Sequence, residues 1–139
     1  MGLKKLFIVF SFISLTAICL SGCLEQNNKN SGPVIENVEL ESNDLVALAY
    51  GKLTLYKEGD VVLRAQVDYR LKNIANRVLN LNVTVEFYDK NDTLVNVSGT
   101  KWIENLRMGY TEAQMNSVVY DGENVSKVDH AKIVVVERI

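Results

Sequence analysis

Beyond Pro33 the chain alternates apolar and polar positions with a period of two. Val61, Leu63, Ala65, Val67, Tyr69 and Leu71 share one parity, and Val62, Arg64, Gln66, Asp68, Arg70 and Lys72 share the other. Successive side chains of a strand point to opposite faces, so the first set is expected inward and the second outward. The next run repeats the pattern, with Leu79, Leu81, Val83, Val85 and Phe87 expected inward and Asn80, Asn82, Thr84, Glu86 and Tyr88 outward. No segment carries a convincing period of 3.6, so no helix is expected in this region.

Turn chemistry punctuates these runs. Glu58-Gly59-Asp60 joins a strand around Leu53 to Tyr56 to the first long run, and Asp89-Lys90-Asn91-Asp92 closes a hairpin into Thr93 to Val97. Arg107-Met108-Gly109-Tyr110 and Asp121-Gly122-Glu123-Asn124 read as further turns. Weaker strands are expected at Val34 to Leu40, Lys101 to Leu106, Met115 to Tyr120 and Ala131 to Glu137. The sum is an all-β fold: an Ig-like antiparallel β-sandwich of about 7–8 strands over residues 33–139.

The N-terminus has a different character. Lys4 and Lys5 precede an apolar run from Leu6 to Leu20, and Ser21-Gly22 leads to Cys23, which is the three-part plan of a signal peptide over residues 1–22. As a helix the run reaches about 22 Å, short of the ~30 Å hydrocarbon core that a permanent span must cross. Leu20-Ser21-Gly22-Cys23 closely resembles the lipobox of prokaryotic lipoproteins. That resemblance implies cleavage before Cys23 and a diacylglyceryl-type lipid, or an archaeal equivalent, on its thiol. It places the mature chain on the extracytoplasmic face of the cell membrane. An ordinary cleaved signal with a coincidental cysteine and an uncleaved signal anchor are the alternatives. Residues 24–32, Leu-Glu-Gln-Asn-Asn-Lys-Asn-Ser-Gly, are polar and read with Cys23 as a lipidated, flexible tether over 23–32.

This placement changes the cysteine arithmetic. Cys19 lies in the discarded run and Cys23 is spent on lipid, which leaves the mature domain no disulfide and no thiolate for metal or nucleophilic chemistry. The formal charge of −2 becomes −4 once Lys4 and Lys5 are removed, because every acidic residue follows the cleavage point. A mildly acidic domain is not built to grip nucleic acid.

A second resemblance rests on Lys72-Asn73, on Val83-Thr84-Val85-Glu86-Phe87-Tyr88-Asp89, on Leu94-Val95, and on Ile103-Glu104-Asn105-Leu106 followed by Gly109. The set is similar to the FxLYD-type and related Ig-like domains of prokaryotic envelope proteins. There a strand ends in an asparagine-led loop, another ends in an aromatic-Tyr-Asp corner, and a Leu-x-x-Gly turn follows. The resemblance implies a sandwich and an envelope setting, and it transfers no catalytic residue.

Candidate chemistry is sparse. His130 is the only histidine, placed where the last strand begins, with no second histidine to complete a metal set and no serine in a Gly-x-Ser-x-Gly turn. Asp89, Asn91 and Asp92 gather oxygen ligands that suit calcium, yet they lack the loop glycine and distal glutamate, and hairpin turn chemistry accounts for the same letters. Asn82, Asn91, Asn96 and Asn124 each head a glycosylation sequon, four against roughly one expected by chance, with coincidence in an asparagine-rich chain the alternative. Among the aromatics, Tyr88 is expected outward beside Glu86 and Tyr110 on a turn, while Tyr69 and Trp102 are expected in core or rim packing. The expectation is a non-enzymatic lipoprotein without cofactor or metal, tethered to the membrane through Cys23, that binds or assembles with an envelope protein. A structural spacer or accessory subunit of a transporter or surface-layer complex is the alternative.

Overall fold

Two sheets form the folded domain in the computed structural model, which describes residues 33–139; the expected signal peptide (1–22) and the expected lipidated Cys23 with its tether (23–32) lie outside the described residues. The strands are β1 (Val34–Glu36), β2 (Val38–Leu40), β3 (Val46–Glu58), β4 (Val61–Asn73), β5 (Leu79–Tyr88), β6 (Leu94–Val97), β7 (Lys101–Leu106), β8 (Asn116–Tyr120) and β9 (His130–Glu137), with a 3-10 turn at Val125–Lys127. One sheet has the order β1-β3-β4-β8 and the other β2-β9-β5-β6, with β7 also paired to β5. The architecture is a β-sandwich. Its parallel edge strands β1 and β2 set the strand order apart from the ABED and CFG sheets of constant Ig domains, while the two-layer plan is the same.

The inner faces are apolar because alternation puts them there. In β5, Leu79, Leu81, Val83, Val85 and Phe87 are all buried, as their parity requires, and they cluster with Ala65, Val67, Tyr69 and Leu71 of β4 and Ala131 and Ile133 of β9. Gly59 and Gly109 hold φ of 61° and 78° in their turns, a region that costs glycine nothing.

Four expectations are corrected. First, the sheets are mixed: β1 runs parallel to β3 and β2 parallel to β9. Second, the single strand expected over Val34 to Leu40 is two. Asn37, at φ 55°, breaks it, so one short segment lines an edge of each sheet and occupies the open backbone groups there. This brings the count to nine strands. Third, Val61 and Leu63 are exposed and Val62 is buried. Tyr56 pairs with Arg64 but Lys57 pairs with Val62, so Leu63 is an extra residue, a bulge that reverses the parity of the first turn of β4. Fourth, Trp102, expected in the core or rim, is 68% exposed.

Asn73 ties the end of β4 to its surroundings. Fully buried, it donates from Nδ2 to the carbonyls of Arg77 and Leu106, both at 2.8 Å, and accepts at Oδ1 from the Ala75 N–H. Its backbone bonds to Tyr110 and Gly109. Nearby, Glu112 accepts from the Leu71 N–H and from Asn116 Nδ2, filling the gap in the ladder before β8 begins. Burial, and then the charge of Glu112, push the Tyr69 phenol well above the ordinary tyrosine range.

Candidate functional site: the outer face of the five-stranded sheet

Residues paired across neighbouring strands share a face, and the register of β5 with β7 and β9 therefore defines an outer surface in rows. One row is Trp102, Asn82 and Val136. Ile103 and Leu106 of β7 are buried, and Trp102, next to Ile103 on a short strand paired with the outward Asn82, must face solvent. The Arg138 guanidinium lies 5.1 Å from the indole centroid and bonds to Glu104, so the ring is held by a cation–π contact while staying open. Val136 at 57% exposure extends the apolar surface, and between them the Asn82 Oδ1 is buried with no hydrogen-bond partner among the described residues.

Another row, near the far end of β5, pairs Tyr88 with His130 and Leu94. The Tyr88 and His130 rings stack with centroids 5.5 Å apart and planes 9° from parallel. Lys132 Nζ lies 5.4 Å from the Tyr88 centroid, and the Tyr88 hydroxyl donates to Glu86. That bond, then partial desolvation and the negative charge of Glu86, Glu41 and Asp92, push the Tyr88 phenol up to about 12. His130 Nε2 lies 2.8 Å from Asp92 Oδ1 and Nδ1 lies 3.0 Å from Asp129 Oδ2. Both ring nitrogens thus face carboxylates. With Glu39, Asp92 and Lys132 the two rings line a polar hollow of about 310 Å³.

The hairpin acids that resembled calcium ligands do turn work: Asp89 Oδ1 accepts from the Asn91 and Thr93 N–H groups at 2.8 and 2.9 Å. Among the described residues no group of three or more His, Cys, Asp or Glu is arranged to hold a metal ion. The four sequons separate by exposure. Asn91 and Asn124 stand exposed beside turns, whereas Asn82 and Asn96 are half-buried on strands, Asn82 on the outer face as its parity requires. Cys23 lies outside the described residues. Trp102 is the surface residue that sequence reasoning missed, and the signal available was the pair of buried positions Ile103 and Leu106, whose spacing of three breaks simple alternation in β7.

No protein-family model matches the chain, and no curated protein matches it significantly. Among solved structures, cj0090 of Campylobacter jejuni is similar with a TM-score of 0.43 and 11% identity, over 73% of this chain and 98% of that one.

Proposed function

We propose that the protein is a lipid-anchored extracytoplasmic lipoprotein whose sandwich is a non-catalytic binding or assembly module, held at the cell membrane through Cys23 and engaging an envelope protein. The anchor rests on Lys4-Lys5, the apolar run and Leu20-Ser21-Gly22-Cys23. The observation that carries the binding role is Trp102, an indole at 68% exposure that is braced by Arg138 and flanked by Val136. Large rigid aromatics beside arginine are the residue types that dominate binding energy at protein interfaces. The resemblance to FxLYD-type envelope domains points to the same setting.

Capture from detergent-solubilised membranes tests both halves. The native chain should retain a partner that Trp102→Ser loses by at least tenfold, and Cys23→Ser should release the domain from the membrane fraction. A partner held equally by Trp102→Ser defeats the binding surface, and an unmodified Cys23 thiol by mass spectrometry defeats the anchor.

A further inference from the structure

We infer that the pole of the sandwich at which the chain enters is a bilayer-docking surface, with Ile74, Met108 and Tyr110 seated among the lipid headgroups of the membrane that holds Cys23. The inference rests on the lipid-anchor reading above and goes beyond it, because it fixes which end of the domain faces the bilayer.

Strand direction defines the pole. β1 is parallel to β3, with Val34 opposite Tyr50, so the polypeptide arrives from the end at which β3 begins, about 13 Å from the level of Val46 at ~3.3 Å per residue. β4 ends there, with Asn73 opposite Val46, and β7 ends there, with Leu106 opposite Leu79. The loops 74–78 and 107–115 therefore lie side by side at the pole where the chain enters. They are joined by the Asn73 bonds to Leu106, Gly109 and Tyr110.

These loops carry what a headgroup region accepts. Ile74, Met108 and Tyr110 are 53%, 59% and 61% exposed, although the backbones of Ile74 and Tyr110 are pinned. Lys72 and Arg107 beside them are exposed and form no ion pair among the described residues. Long basic side chains reach phosphates while their stems cover apolar surface, and tyrosine is a favoured residue at the membrane interface. Most acids at this end are engaged, Glu112 with Leu71 and Asn116, Glu137 with Arg77, and Glu104 with Arg138, leaving Asp44 exposed.

The opposite pole is built otherwise. Its turns, at 58–60, 89–93 and 121–124, carry Glu58, Asp60, Asp89, Asp92, Asp121 and Glu123 against Lys90 alone, with Val61 and Leu94 exposed on the strands that follow. An anionic leaflet would attract the first pole and repel the second. The length of chain outside the described residues supplies the proximity: from Cys23 to Pro33 it can span at most about 36 Å. A tether this short gives the loops a high effective concentration at the leaflet, so a contact of only three side chains suffices.

Depth measurement on the full lipidated chain tests the inference. Met108→Cys and, on the other loop, Ile74→Cys are labelled with a nitroxide in chains reconstituted into vesicles of phosphatidylcholine and phosphatidylglycerol. Asn91→Cys serves as the label at the opposite pole. The expected result is a several-fold rise in the ratio of oxygen to nickel-chelate accessibility at positions 108 and 74 on passing from micelles to vesicles, with position 91 unchanged. Labels at 108 and 74 that remain in water while mass spectrometry shows a lipid on Cys23 overturn the docking and leave the anchor standing. An unmodified Cys23 overturns both. Shielding that occurs in native membranes but not in pure lipid vesicles assigns the pole to a protein partner and likewise overturns it.

Discussion

Asn73 shows how one side chain decides the shape of a pole. A buried carboxamide is tolerated where its hydrogen-bonding capacity is used, and both Nδ2 protons and one Oδ1 lone pair are used here. Asn73→Ala strands the Leu106 and Arg77 carbonyls and the Ala75 N–H, and should cost about 3 kcal/mol in urea denaturation. Asn73→Asp keeps the Ala75 bond but puts a carboxylate oxygen, in place of Nδ2, against two carbonyls, and should cost at least as much. A loss below about 1 kcal/mol for either would remove Asn73 from this role. Tyr88 gives a pH signature at the same scale. Its folded pKa is raised to about 12, so the fold favours the neutral phenol; this stabilisation is complete below the ordinary value near 10 and is lost as pH rises through about 12. A phenolate absorbance titration, taken as the difference from Tyr88→Phe, should show that midpoint, and Glu86→Gln should return it towards about 10.

Among the elements, β4 and β5 are opposites in how far pattern alone carries. In β5 every second residue is apolar and buried, whereas β4 opens on Val61-Val62-Leu63, three apolar residues that fit either parity. The bulge at Leu63 settles the choice by matching β4 to β3 beyond Tyr56. Leu63→Ala should therefore change stability by no more than about 0.5 kcal/mol, while Leu81→Ala, in the closed core, should cost about 2–5 kcal/mol. Equal losses at the two positions in thermal or urea melts would refute the assigned register. At the other edge of β5 the register of β7 places Trp102 opposite Asn82, and it is this pairing that turns the indole outward.

At the scale of the whole described domain the two ends differ in charge, with exposed Ile74, Met108, Tyr110, Lys72 and Arg107 in or beside the loops at one end and mostly acidic turns at the other. That polarity orders the sequons as well. Asn91 and Asn124 stand exposed at the far pole, clear of the proposed bilayer contact, while Asn82 is wedged between Trp102 and Val136 in the sheet. Expressed in a host that glycosylates exported protein, the folded chain should carry glycan at Asn91 and Asn124 and none at Asn82, as read by peptide mass spectrometry. Occupancy at Asn82 with the other two bare would contradict the placement.

The amino-acid pattern by itself determined the all-β class, the inward face of β5, the turns at Gly59, Asp89 and Gly109, and the start of β9 to within one residue. Each depends on neighbours within a few residues, where alternation, positive φ and short side-chain acceptors act without help from the rest of the chain. Tertiary structure alone decided the parallel edge pairings, the bulge at Leu63, the exposure of Trp102 and the burial of Asn73. Three of these depend on a partner far along the chain, β9 for β2, Leu106 for Asn73 and Asn82 for Trp102, and the bulge depends on the register of β4 against β3. Which face a residue presents, and whether a polar group finds its acceptors, then depends on register between strands, and register is set by the packing of both sheets together.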